Sequence, residues 1–505
     1  MGMEESRAAT GSDLHLDLPG RGTAGIREAL GAALREAVRS GRLAPGTRLP
    51  SSRSLAADLG LARNTVADAY GELVAEGWLT ARQGSGTRVA LRADPVPPPA
   101  GRSVPAARAP RRRVHNLLPG SPDLSAFPRA AWLTAARRAL AAAPADAFGY
   151  GDPAGRPELR HALAHYLARA RGVRTAPERI VICAGFVQGL MLLSRALKSM
   201  GAEAMAVDSY GLDFHWSLIR GEGLRTVPLP KDGQGTRVGE LEHRPEVRAV
   251  LLTPAHHFPT GMPLSPERRS AVVDWARRTG GLVLEDDYDG EFRYDRQPVG
   301  ALQGLDPERV VHLGTASKSL APGLRLAWMA LPQHMVGEVL AAKNPAEEMT
   351  GTPDQLTLAE FITGGGYDRH LRSMRLRYRR RRDRLVAALA ERAPHIPVTG
   401  IAAGLHAVLE LPPGTEEAVL RAAAWEGLAL EGLGRYRHDP GPEGAGPGSA
   451  GTDPDSAGTD PGPDGAGPGT GTSGPDGLVV GYGTPPDHAF TAAVDALCRV
   501  LPPAP

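Results

Sequence analysis

Residues 312–328 read HLGTASKSLAPGLRLAW, and the stretch is centred on Lys318. The chain carries 58 Lys plus Arg, yet only Lys198, Lys231, Lys318 and Lys343 are lysines, so its positive charge is almost entirely guanidinium. A lysine inside a small-residue loop points to a need that guanidinium cannot meet, such as a primary amine that forms a Schiff base. The competing reading is a solvated lysine, which is how Lys231 and Lys343 read. The stretch overlaps an apolar run, RVVHLGT, and four similar runs precede it: RIVICAG, AMAVDSY, AVLLTPA and LVLEDDY. Each has strand length, ends in small or polar residues, and is separated from the next by a helical stretch. That alternation predicts an α/β unit with a mostly parallel sheet, helices on both faces, and a ligand crevice at the strand C-termini.

Four of those strand ends carry chemistry. In AGFVQGL (184–190) a glycine turns strand into helix, so the amides of Gly185, Phe186 and Val187 would face an anion at the helix N-terminus. In DSYGLDF (208–214) Tyr210 follows a strand, where an aromatic either stacks on a flat ring or joins the core. In EDDYDGEF (285–292) acids bunch after an apolar strand; one would face a ring nitrogen while the others solvate. The opening stretch adds Lys318, the hydroxyls of Thr315, Ser317 and Ser319, and Arg325. An amine, an acid, a planar stacker, a phosphate turn, hydroxyls and an arginine are what pyridoxal 5′-phosphate (PLP) requires.

Further out, 505 residues exceed what one core usually serves, so two or more domains are expected. Hydrophobic content of 42% and charged content of 23% are ordinary for a globular chain, and the net charge of +2 confines any nucleic-acid role to a local patch. Cys183 and Cys498 make no disulfide framework, no Cys/His cluster has metal-ligand spacing, and no apolar run is long enough to span a membrane. A cytoplasmic protein without a metal is expected. The patch lies in residues 1–90. Apolar spacing predicts helices over residues 26–40, 52–59 and 62–76, and WLTARQGSGTRVA predicts a β-hairpin wing. Ten arginines face six acids between Arg21 and Ala90. In a helix-turn-helix the second helix would bring Arg63, Asn64 and Thr65 to base edges. Ser51 and Arg53 would meet phosphates, and Arg82, Gly84 and Gly86 of the wing would meet backbone or minor groove.

The segment LPSSRSLAADLGLARNTVADAYGELVAEGWLTARQGSGTRV (49–89) resembles the winged helix of GntR-type regulators along its whole length. One departure is Ala62, where that family usually carries a capping Ser; the loss should cost about 1 kcal/mol locally. Residues 91–114 read as a Pro/Ala/Arg-rich, semi-rigid linker. Residues 115–505 resemble a fold-type I aminotransferase with a small C-terminal α+β domain. The resemblance is carried by LPGSPDLSAFPRAAW, FGYGDPAGRPELRHALAHYLARARGV, TPAHHFPTG, EDDYDGEFRY, SKSLAPGLRLAW and GGGYDRHLRSMRLRYRRRRDRL. Together the halves resemble the MocR/GabR subfamily of GntR regulators.

That resemblance implies Lys318 as the catalytic, cofactor-bearing lysine, Asp286 as partner of the pyridinium nitrogen and Tyr288 as donor to the ring hydroxyl. It also implies Tyr210 stacked on the ring, with Arg325, Thr315, Ser317 and the Gly185 turn on the phosphate. Three departures stand out. His257 replaces the usual Gln, Phe258 replaces an Asn that touches the ring hydroxyl, and Val479 in GLVVGYGTP replaces the arginine that grips a substrate carboxylate. Arg435 and Arg437 are then the candidates for an effector carboxylate. Residues 439–476, rich in Gly, Pro and Asp, read as a disordered insertion. The nine arginines from Arg369 to Arg384 read as a solvated face or a subunit contact. The expected function is a PLP-dependent regulator: a homodimer, domain-swapped in the resemblance, that binds a double-stranded DNA operator and senses an amine, an amino acid or PLP. Transaminase activity would be partial or low. The alternative is a working aminotransferase with a DNA-binding appendage.

Overall fold

The computed structural model describes Leu16 and residues 25–82, 86–91, 114–294, 299–343, 350–438 and 474–504. Most of the expected linker, Gly84 of the wing and residues 439–473 of the expected disordered insertion lie outside them. The chain divides into two compact units, Met1–Ala109 and Pro110–Pro505.

In the first unit α1 (Ile26–Arg39), α2 (Ser52–Leu59) and α3 (Arg63–Ala75) precede a hairpin of β1 (Leu79–Arg82) and β2 (Gly86–Val89). The apolar stripe of each helix turns inward: Leu30, Leu34 and Val38 of α1 meet Leu55 of α2, Val66, Tyr70 and Leu73 of α3, and Leu79 and Val89 of the wing. Ser51 Oγ accepts from Ser54 N at 3.1 Å, capping α2, and Gly60 closes it at φ 64°. α3 is tied to the entry of α2, since Tyr70 Oη donates to Pro50 O at 3.1 Å. As the sequence implied, Ala62 provides no side-chain cap for α3.

The second unit is built on seven strands: β3 (Ile180–Cys183), β4 (Ala204–Asp208), β5 (Arg225–Leu229), β6 (Val247–Leu252), β7 (Leu282–Asp286), β8 (Val310–Thr315) and β9 (Ala327–Ala330). Their order is β3-β9-β8-β7-β6-β4-β5. Six run parallel and β9 is reversed between β3 and β8. The reversal matters for the site, because Ala327 pairs with both Cys183 and Thr315. It carries Arg325, just ahead of β9, to the same sheet edge as the Gly185 turn. Strands β3, β4, β7, β8 and β9 are buried throughout, which is why they read as continuous apolar runs.

A smaller antiparallel sheet joins β10 (Val398–Thr399), β11 (His406–Glu410), β12 (Glu431–Gly432) and β13 (Gly477–Gly481) in the order β10-β11-β13-β12. Asp476, placed by composition in the disordered insertion, is fixed: its O accepts from Leu411 N and its Oδ2 from Glu416 N, both at 3.0 Å. The arginine run lies on the helix Gly366–Arg392. Arg369, Arg372, Arg379, Arg380 and Arg384 are exposed. Arg381 is buried, donating to Asp123 Oδ2 at 2.7 Å and to Asp487 Oδ1 at 2.6 Å. The reading of that run as wholly solvated or intersubunit is therefore corrected at this position.

Candidate functional site

The loop between β8 and β9 holds Lys318. Its Nζ donates to Gly120 O, an acceptor that no spacing rule marked. Burial lowers the amine pKa, against the pull of Asp286 and Asp289, which favours the uncharged and nucleophilic form. Asp286, at the end of β7, is buried and its Oδ1 has no hydrogen-bond partner among the described residues. Burial, with Asp287 and Asp289 adding to it, holds this carboxyl well above the usual range. A cation arriving at that oxygen would restore the ionised form.

The remaining acids of EDDYDGEF do not solvate. Glu285 accepts from Leu302 N at 2.6 Å and Gln303 N at 3.0 Å. Asp287 takes a two-pronged bond from Arg171 at 2.6 and 2.8 Å, and Asp289 binds His256 at 2.8 Å. Glu291 accepts from Tyr166 Oη at 3.2 Å, and burial pushes its carboxyl up to about 7. Two elements from elsewhere in the chain, the helix Pro157–Arg171 with Tyr166 and Arg171 and the loop holding His256, give three of these acids partners that local sequence cannot show.

At the turn after β3, Gly185 sits at φ 90° and a Cβ there would lie 2.8 Å from an Arg325 guanidinium nitrogen. Only glycine leaves that cradle open. Arg325 itself adopts φ 51° and donates to Ala184 O at 2.7 Å. The Gly185 amide turns back to Cys183 O at 3.0 Å, so the outward donors of the expected three are Phe186 and Val187, in the first turn of the helix Phe186–Ser199. Thr315 Oγ1 donates to Ser317 Oγ at 2.9 Å and accepts from Ser317 N at 3.1 Å, holding both hydroxyls in the Lys318 loop. Tyr210 is half-buried beside Leu212 and Phe258. His215, which the sequence reading passed over, is held down to about 3 by burial and by Lys318.

Phe258 packs edge-on against Tyr436 at 5.0 Å and His406 at 5.1 Å. Val479 joins Val408, Leu433 and Tyr436 in one apolar cluster. Of the two proposed effector cations, Arg435 lies 3.3 Å from Glu431, and the Arg437 backbone bridges to Tyr210. Two lysines read as solvated are not. Lys343 Nζ donates to Pro153 O at 2.6 Å and Ile182 O at 3.1 Å. Lys231 contacts His257 and Thr260, and burial lowers its amine to about 8. Both were misread because a loop lysine's burial depends on what folds over it.

In the winged helix, Arg53, Arg63, Asn64 and Arg82 are exposed and Thr65 is half-exposed. Gly86 adopts φ 78°, and a Cβ there would lie 3.2 Å from Arg48 Nε. Residues 26–89 match the gntR family of bacterial regulatory proteins, and residues 116–433 match aminotransferase class I and II. The probable rhizopine catabolism regulatory protein MocR of Rhizobium meliloti is 34% identical over 82% of this chain and 87% of its own. The chain belongs to the MocR-type GntR regulators. Another relative in this group is the pyridoxine biosynthesis transcriptional regulator PdxR of Corynebacterium glutamicum, 32% identical over 84% of this chain and 92% of its own. A MocR-type regulator binds DNA through its gntR domain and carries an aminotransferase-like unit. The fold of that unit is also found in an archaeal alanine:glyoxylate aminotransferase, with a TM-score of 0.65 at 23% identity over 77% of this chain and 90% of the other. No helix among the described residues is long and apolar enough to cross a membrane.

Proposed function

We propose that this regulator holds PLP at Lys318 and uses the occupied unit to sense an amino compound, or PLP itself, changing how a cytoplasmic homodimer binds its double-stranded DNA operator. The observation that carries the reading is Asp286 Oδ1, a buried acceptor with no partner among the described residues, on the strand next to the one that leads into the Lys318 loop. It fits a protonated ring nitrogen, and the open Gly185 cradle under Arg325 fits a phosphate. When bound, the cofactor supplies an aldehyde for amine capture and an electron-withdrawing ring.

The chain's own residues do the rest. Lys318 presents an amine whose pKa burial lowers, steadied by Gly120 O, and Asp286 would keep the ring nitrogen protonated. Arg325, Phe186, Val187, Thr315 and Ser317 would hold the phosphate, and Tyr210 would lie against the ring. Val479 stands in an apolar cluster where the resemblance expects an arginine for a substrate carboxylate, which supports sensing with at most partial transamination. The name of the Corynebacterium relative supports PLP itself as a ligand. Exposed Leu133, Phe148 and Tyr150 support a second copy as partner.

Operator affinity of the full-length protein, measured with and without PLP and candidate amines, tests the reading. The wild type should change affinity by about tenfold, within the usual range of coupling, and Lys318→Ala should not respond. A wild-type affinity that never changes overturns the sensing role.

A further inference from the structure

Beside Tyr288 lies a buried pair that the cofactor reading does not use. His256 Nδ1 stands 2.8 Å from Asp289 Oδ2, with side-chain exposures of 2% and 1%. The same nitrogen stands 3.2 Å from Tyr288 Oη. Asp289 also hydrogen-bonds the Tyr288 hydroxyl. The phenol oxygen is therefore held between an imidazole and a carboxylate.

The pair is sealed from the far side by the small sheet's approach loop. Gly404 adopts φ 69°, and a Cβ there would collide with both the His256 ring and the Asp289 carboxylate. Its position is fixed by Gly404 N donating to Phe292 O at 2.7 Å, and by Tyr294 and Tyr482 hydroxyls donating to Gly404 O at 2.5 and 2.8 Å. The His406 ring packs 5.0 Å from His256 and its Nε2 donates to Pro259 O at 2.8 Å. Burial keeps His406 neutral, so it adds no competing charge. Because the pair is buried, removing either member leaves the other with only the Tyr288 hydroxyl.

We infer that His256 and Asp289 are positioning residues for the Tyr288 phenol. The inference rests on the cofactor reading, in which Tyr288 meets the ring hydroxyl.

The test uses full-length protein titrated with PLP, reading the dissociation constant from the Lys318-dependent visible absorbance. His256→Ala should weaken PLP about tenfold in the wild-type background and not at all in a Tyr288→Phe background, the coupling expected of residues that act as one unit. His256→Gln, which keeps an amide donor, should recover most of the affinity. Asp289→Ala should act through the same phenol, weakening PLP in the wild-type background and not in Tyr288→Phe. Equal losses in the two backgrounds, or no recovery in His256→Gln, overturn the inference while leaving the cofactor reading intact. If the wild type shows no Lys318-dependent band, the cofactor reading falls and the inference falls with it.

Discussion

The winged helix and the cofactor unit handle charge in opposite ways. In the winged helix the cations lie at the surface: Arg53 and Arg63 are exposed, and even the Arg35–Glu76 pair that ties α1 to the end of α3 is partly exposed. In the cofactor unit the decisive charges are inside. Arg171 and Asp287 are 5% and 2% exposed, and Asp289 with His256 and Arg381 with Asp123 are as deeply enclosed. An exposed cation remains available to a phosphate and contributes little to folding. A buried pair holds the loops that shape a pocket, and its two members depend on each other.

Breaking a buried pair should therefore give the largest effect. Asp287→Asn strands the Arg171 guanidinium and is expected to cost about 3–5 kcal/mol in denaturant unfolding of the second unit, whereas Arg35→Met should cost less than about 1 kcal/mol in the first. A loss under about 1 kcal/mol for Asp287→Asn would erase the contrast.

Glu291 sharpens it through pH. Its carboxyl is raised from 4.5 to about 7 by burial, so its contribution to stability is present below pH 4.5 and lost as pH rises through about 7. Glu291→Gln should flatten that decline, by about 2–3 kcal/mol between pH 4.5 and 8. A decline as steep in the variant as in the wild type would show that the carboxyl stays ionised.

On the exposed side the effects belong to binding. Arg63→Ala should leave unfolding unchanged and cost about 1–3 kcal/mol of operator affinity, with specificity relaxed at one base pair. A uniform loss across operator variants would place Arg63 on the phosphates instead. The smallest expected effect is at the bare cap of α3: Ala62→Ser should add about 1 kcal/mol to the first unit in thermal unfolding.

Legibility followed the same division. The helices of the first unit fell within one or two residues of their apolar spacing, because each buries one stripe and caps its ends locally. The strand ends carrying Gly185, Tyr210, Asp286 and Lys318 were legible because a parallel sheet gathers its C-termini at one edge. The partners were not. Lys343 looked like a surface residue until Pro153 and Ile182 carbonyls closed on it, and the acids of EDDYDGEF looked solvated until Arg171 and His256 reached them from other elements. Gly120, opposite Lys318, is 198 residues away in the chain.

The sequence by itself determined the two-unit plan, the winged helix, the sheet and the identity of the residues at its edge, since periodicity, capping and strand length are local properties. Only the tertiary structure decided which charges are compensated and which are left open. Asp286 keeps a bare buried oxygen while its neighbours are paired, and desolvation, which sets the chemistry of that difference, depends on everything that folds over a residue.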